Sequence, residues 1–310
     1  MQNTDPLALR FKQRLLERWF GKYSILRRTT RRRIHAFSLA VTAIIIISSI
    51  FASQLSPYHP NDTHPRQGHK GIFAASNETN VGWYASRFWL GTDEIGRDLL
   101  SRLIFGARVS LQVGFMAVGL ALIIGIPLGL LAGFRGGILD EVIMRFMDAI
   151  FMIPTLALAL AIAAALGPSL TNIVIAIGTT NVPRYARIIR GQVLSVREHD
   201  YVLAARSIGS PGMRVAFLTV LPNSIQPIIV QATLSTGFAI LAEAGLSFLG
   251  VGIQPPTASW GAMLQSGYRY LERNLIESMV PGLAIFMTVL SVNLLGDGLR
   301  EALDPRLRGT

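Results

Sequence analysis

No cysteine occurs in this chain of 310 residues, and only 15% of its residues carry charge, against about 25% in an average soluble domain. The missing thiols exclude a disulfide-stapled secreted domain and leave the redox compartment open. Acidic residues are scarce, 18 against 29 lysines and arginines, for a net charge of +11. Only five histidines occur, and neither an H-E-x-x-H motif nor a Cys–His spacing arranges any of them as a metal site. There is no G-x-x-x-x-G-K-[ST] loop, so the chain does not hold ATP in that mode. Gly245-Leu246-Ser247-Phe248-Leu249-Gly250 misses the G-x-S-x-G nucleophile elbow by one residue and lies in an apolar stretch without a base, so Ser247 reads as a helix-packing hydroxyl. What the chain has in abundance is apolar surface, 51% of residues, with a mean hydropathy of +0.44. That excludes a disordered or collagen-like chain and argues against an ordinary soluble globule.

The charge is concentrated. Residues 1–35 hold ten basic residues, from Arg10 to Arg33, against Asp5 and Glu17, and 184–214 hold six arginines against Glu198 and Asp200. These clusters flank apolar runs and lack aromatic interleaving, which points away from nucleic acid and toward a membrane. Runs long enough for a bilayer-spanning helix fall at 36–58, 109–133, about 142–166, within 215–242, and at 278–296, with a shorter, weaker one at about 169–183. Each should be helical, because backbone polar groups find no water in lipid. The basic segment before the first run is too long for a signal peptide and no small-residue cleavage site follows it, so a retained helix is expected. The bias of Lys and Arg puts the N-terminus, 134–141, 184–214 and the C-terminus inside, with 54–107 and 250–277 outside. Six spans satisfy that parity. The expected organisation is a basic arm (1–35), a first span (36–53), an outer loop (54–107), a helical core (108–300) containing an inner loop at 197–215, and a tail (301–310).

The inner loop is the most informative segment. It reads as a short helix over 198–208, ended by Gly209, then a Ser210-Pro211-Gly212 turn. Val202, Ala205 and Ile208 recur at three-residue spacing as a narrow apolar face kept flat by Ala204 and Ala205. Such a helix fits a groove on another protein or lies on lipid headgroups.

Here the chain resembles a known family. Tyr201-Val202-x-Ala204-Ala205-x-x-x-Gly209, ahead of Leu221-Pro222-Asn223, looks like the coupling loop of bacterial ABC-importer permeases. Other stretches narrow the resemblance to the oligopeptide-permease C type of the dipeptide/oligopeptide/nickel group. They are Leu90-Gly91-Thr92-Asp93-Glu94-Ile95-Gly96-Arg97-Asp98, Met144-Arg145-Phe146-Met147-Asp148, Gly245 to Gly250 with Trp260-Gly261, and Asn293 to Arg300. The resemblance implies an all-α membrane protein of type I ABC-importer fold, with six transmembrane helices and cytoplasmic termini, in the bacterial inner membrane. It implies a homologous second permease subunit, one or two ATPase subunits, and a periplasmic or lipid-anchored substrate-binding protein. ATP and magnesium would be held by the ATPases, with no cofactor on this chain. The implied coupling residues are Glu198, Asp200, Tyr201, Ala204, Ala205, Arg206, Gly209 and Pro222, with Ala205 and Gly209 least tolerant of bulk. Two positions depart from the pattern: Leu203 stands where an acid is usual, and Thr219 where a histidine is common. The loop at 66–89 has no counterpart.

Other polar residues have competing readings. Arg145 and Asp148 form a helix-end ion pair or a gate contact, and Glu243 faces the bundle, the outer interface or the translocation path. Asp93, Arg97 and Asp98 form an outer cap touching the binding protein, or a local salt-bridged turn. His59, His64 and His69 suit nickel as imidazoles, but their five-residue spacing reads as a solvated loop. Met144, Met147 and Met152 read as packing. The function expected is half of the pathway of an ATP-driven importer of di- or oligopeptides. Nickel, glutathione, opines and oligosaccharides are alternative substrates, and a stand-alone secondary transporter is the distant alternative, disfavoured by the near absence of midplane charge.

Overall fold

The computed structural model describes residues 32–76 and 86–303. Most of the basic arm, the centre of the 66–89 loop and most of the C-terminal tail lie outside these residues. The described chain is almost entirely helical. Helix α1 is Arg33–Ile50, followed by the short α2, Ala52–Leu55. A two-residue ribbon pairs β1 (Ala74–Ala75) antiparallel with β2 (Arg87–Phe88), Ala74 opposite Phe88. Then come α3 (Leu99–Arg135), α4 (Gly137–Phe151), α5 (Thr155–Leu166), α6 (Leu170–Val196) and α7 (Asp200–Ser207). Helix α8, Gly212–Arg214, passes into a π-helical turn at Val215–Val220, and α9 (Leu221–Ser224), α10 (Gln226–Phe248), α11 (Trp260–Arg269) and α12 (Ile276–Leu303) complete the order.

Four of these helices, α1, α3, α10 and α12, are long and apolar enough to cross a membrane, and α4 with α5 makes a fifth candidate bent by 86°. The bend falls at Met152-Ile153-Pro154, where Pro154 lacks a donor and pushes its predecessor out of the helical region. Expected boundaries move, two of them for a clear local reason. The second run starts at Leu99, ten residues early, because Asp98 caps the helix by accepting from Ser101 N at 2.7 Å. The weak fourth run is the front of the 27-residue α6, which carries Arg184, Arg187 and Arg190. Charge ends the apolar run there, but the helix continues because its other face stays packed.

That packing is the spine of the molecule. Small residues let α3 and α6 touch backbone to backbone, which is how helices associate where lipid removes the hydrophobic drive. A Cβ on Gly125 would lie 2.8 Å from Tyr185 Cβ, one on Gly129 2.3 Å from Ala186 O, and one on Gly133 2.9 Å from Arg190 O. The three glycines fall at four-residue spacing, one face of α3. Val113, Ala117 and Leu130 of α3 and Ile173, Ile177, Ile189 and Val193 of α6 fill this core. At the other end Trp260 of α11 closes a second core with Leu111, Ile240 and Ile285, its indole N–H donating to Leu103 O at 2.9 Å. Arg32 meets Glu301 at 3.1 Å and His35 Nδ1 meets Leu294 O at 3.0 Å, so the start of α1 lies beside the end of α12.

Candidate functional site

The inner loop folds as expected, with one face reassigned. Helix α7 carries Asp200 in its first turn and Arg206 in its last, each favoured by the helix dipole. It ends on Gly209 at φ +77°. Gly209 N donates to Arg206 O at 2.9 Å and Ser210 N to Ala205 O at 3.2 Å, the paired bonds of a Schellman C-cap. A Cβ at Gly209 would meet nothing within 4 Å. Its requirement is therefore the left-handed backbone, and the expected intolerance of bulk has no source inside this chain.

Val202 is fully buried in the large apolar core that α3 and α6 share with the π turn, Ala205 is half-buried against it, and Ile208 is 82% exposed. The expected docking face of Val202, Ala205 and Ile208 is thus corrected: Val202 and Ala205 hold α7 to its own bundle. The outward side presents Tyr201, Ala204 and Ile208, with Leu203 also exposed. Two arginines tie the loop to the end of α3. The Arg206 guanidinium lies 5.1 Å from the Phe134 ring centre, and Arg197 Nη1 donates to Gly133 O at 2.8 Å. Glu198 accepts from Arg197 Nε at 2.9 Å, while Asp200 is exposed. Pro222 sits apart from α7, on α9 beyond the π turn.

Arg145 and Asp148 do not pair with each other. Asp148 accepts from Arg187 Nη2 at 2.6 Å, and Arg145 lies 3.8 Å from Glu141. Arg187 also stacks over Phe151 at 4.3 Å. A bridge that sequence reasoning missed stands beside them, Arg190 Nε and Nη2 on the two oxygens of Asp140 at 2.5 and 2.7 Å. Together these bonds staple α4 along α6. The signal is an acid in the first turn of one helix and arginines three residues apart on another, legible only once the helices are known to cross.

Of the two readings for the outer residues, the structure has the salt-bridged turn. Asp93, Arg97 and Asp98 are 4%, 6% and 1% exposed, so none offers a surface to a binding protein. Asp93 and Arg97 form an internal knot with Arg102, while Asp98 bonds Ser101. Asp93 Oδ1 accepts from the backbone of Ile95 and Arg97, and Oδ2 from Arg97 Nε at 2.6 Å with Arg102 Nε 3.7 Å away. Arg102 Nη1 donates to Pro60 O at 2.9 Å. Burial pushes the Asp98 carboxyl up, against the Ser101 hydrogen bonds that hold it down. Removing one member of a buried ionic knot strands the others, at a cost of about 3 kcal/mol or more. Asp93→Ala is therefore expected to lower the thermal stability of the purified chain by several degrees, whereas Asp62→Ala, on the exposed loop, leaves it unchanged.

Glu243 lies inside the bundle. It is fully buried, accepting from Ser110 Oγ and Ser247 Oγ at 2.9 Å each, and Ser247 Oγ also receives Ile253 N at 3.0 Å. The three loop histidines have separate partners: His59 with Asp62, His64 with Gly96 O at 2.9 Å, and His69 with Glu277 Oε1 at 2.7 Å. Among the described residues no group of three or more His, Asp or Glu is placed to hold a metal.

Comparison with known proteins adds three findings. The family model for the inner membrane component of binding-protein-dependent transport systems matches residues 125–309. The Di/tripeptide transport system permease protein DppC of Pseudomonas aeruginosa is 48% identical over 86% of this chain and 86% of its own length. The Dipeptide transport system permease protein DppC of Haemophilus influenzae is 36% identical over 98% of both, and the Glutathione transport system permease protein GsiD of Pectobacterium atrosepticum 37% over 91% and 90%. Among solved structures, a chain of the inward-facing MetNI methionine ABC transporter superposes with a TM-score of 0.53 at 18% identity, covering 66% of this chain and 96% of that one.

Proposed function

The chain belongs to the family of binding-protein-dependent transport system inner membrane components, and on that premise we propose how it works: it is a permease subunit of an ABC importer for short peptides, driven through α7. It is a multi-pass protein of the inner membrane. The peptide class rests on its relatives, most of them named as dipeptide or peptide permeases. Glutathione, itself a peptide, is the cargo in one relative's name and fits the same reading.

The full assembly contains a homologous second permease, ATPase subunits that carry ATP and magnesium, and a binding protein that delivers substrate from outside. This chain supplies no cofactor. Its topology is six spans with both termini in the cytoplasm. The bent α4–α5 pair counts as one span and the apolar front of α6 as another. Supporting this are the start of α1 beside the end of α12, and the arginines gathered where α6 leads into α7.

One observation carries the mechanism. Helix α7 turns Val202 into the apolar core to which α3, α6 and the π turn all contribute, and turns Tyr201, Ala204 and Ile208 outward. A partner that grips the outer face therefore moves α3 and α6 as one body, because glycine contacts allow little slip between them. Arg206 on Phe134 and Arg197 on Gly133 O link the same displacement to the inner end of α3. ATP-driven closure of the ATPases then biases the bundle between inward- and outward-facing states. Extraction of the tagged chain in mild detergent is expected to bring down a second permease of similar size and ABC ATPase chains. A chain that purifies alone overturns the assembly.

A further inference from the structure

A cleft of about 510 Å³ lies between α6, α9, α10 and α12, and its wall gathers Gln192, Asn223, Gln226, Gln231 and Arg300. Four carboxamides and a guanidinium on one face of a membrane bundle require water or a polar ligand, since lipid supplies no hydrogen bond. Their internal bonds use the amide nitrogens. Asn223 Nδ2 donates to Thr219 O at 2.7 Å, Gln231 Nε2 to Ser235 Oγ at 3.1 Å, and Gln226 Nε2 to Leu303 O. Among the described residues the three carbonyl oxygens accept from nothing, and the Gln192 amide is unused. Arg300, in the last turn of α12, has no acid within pairing distance among the described residues, because the adjacent Glu301 is taken by Arg32 at 3.1 Å.

The cleft thus offers a row of acceptors ending in one cation. A short peptide has the complementary pattern, backbone N–H donors ending in a carboxylate. The volume is within the range of about 300–1,000 Å³ typical of small-molecule sites. Its place, between the C-terminal halves of α6 and α12, is at the α7 end of the bundle. We infer that this cleft is a transit site for the C-terminal end of a peptide on its way to the cytoplasm. Arg300 takes the carboxylate, and the side-chain oxygens of Asn223, Gln226 and Gln231 take the N–H groups. The inference rests on the peptide-import reading and adds the residues that read the cargo inside the membrane.

The absence of native cysteine gives a direct test. Gln231→Cys places one thiol of this chain in the cleft of the complete reconstituted importer. Labelling by a small maleimide is measured with trialanine and with trialanine amide, and ATP-dependent uptake of trialanine is measured in the same preparation. Trialanine is expected to slow labelling, and the amide to do so far less. Adding Arg300→Gln is expected to raise the half-protecting concentration about tenfold, the effect of one charged hydrogen bond. Equal protection by the acid and the amide overturns the site, as does a half-protecting concentration that Arg300→Gln leaves unmoved. Labelling that responds to phosphatidylglycerol instead of trialanine makes the cleft a lipid site, and a thiol that no reagent reaches places it against the second permease; both overturn it. Failure of trialanine uptake before any substitution is a failure of the import reading and is recognisable as such.

Discussion

Gly129→Leu is expected to remove the folded chain from the membrane altogether. A Cβ at this position falls 2.0 Å from Ile189 Cγ2 and 2.3 Å from Ala186 O. The side-chain methyl can rotate away, but the carbonyl belongs to the α6 backbone and cannot. Helices α3 and α6 must separate, and the gap also opens at Gly125 and Gly133, one helical turn to either side. Dispersion contacts fall off steeply with such a gap, and overpacking of a tight core commonly costs about 1–3 kcal/mol even when it relaxes locally. Here the whole interface shifts, against a total stability of only about 5–15 kcal/mol. Gly129→Ala is expected to lower the melting temperature, and Gly129→Leu to leave no monodisperse protein after detergent extraction. Gly119 is on the same helix, and a Cβ there would meet nothing within 4 Å, so Gly119→Leu is the matched control and is expected to accumulate normally. Equal accumulation of the Gly129 and Gly119 variants contradicts the packing account.

Ala204→Glu is expected to stop transport while leaving the fold intact. Ala204 is exposed between Tyr201 and Ile208, so a longer side chain there meets no atom of this chain's core. Any loss must arise where a partner covers α7. An unpaired charge buried in an interface costs about 2–5 kcal/mol, enough to lower uptake about thirtyfold or more. The variant is expected at normal abundance, with ATP hydrolysis no longer stimulated by substrate-loaded binding protein. Gly209→Ala separates a second cause. It adds no bulk to the docking face but forces alanine to φ +77°, which costs about 1–2 kcal/mol. Partial uptake, restored by Gly209→Asn with its better tolerance of that region, is the expected result. Undiminished uptake in Ala204→Glu shows that α7 is not the coupling contact.

These two sites differ in how far the sequence reveals them. The apolar runs locate α1, α3, α10 and α12 because composition alone marks a span. Helix α6 is half hidden, since Arg184, Arg187 and Arg190 stop a hydropathy run without stopping a helix whose opposite face packs on glycines. Gly209 is legible as a C-cap from its position after the last helical residue. The docking face of α7 is misread from sequence because three-residue spacing drifts: at about 100° per residue Ile208 lies roughly 120° around the helix from Val202. For Asp93, Arg97 and Asp98 the sequence leaves an outer cap and a local salt-bridged turn both open, because charged side chains are seldom buried unpaired. The structure shows Asp93 and Arg97 supplying each other's partner, and Asp98 capping α3 through Ser101. Glu243 is read as facing the bundle, but its partner Ser110 on α3, beside Ser247 one turn along its own helix, is visible only in the structure.

The most direct measurement is peptide uptake into proteoliposomes containing this chain with its partner permease and ATPases, with and without ATP inside and binding protein outside. The account predicts accumulation that needs both and that Ala204→Glu abolishes. Accumulation by this chain alone, driven by an ion gradient and indifferent to ATP, would contradict it.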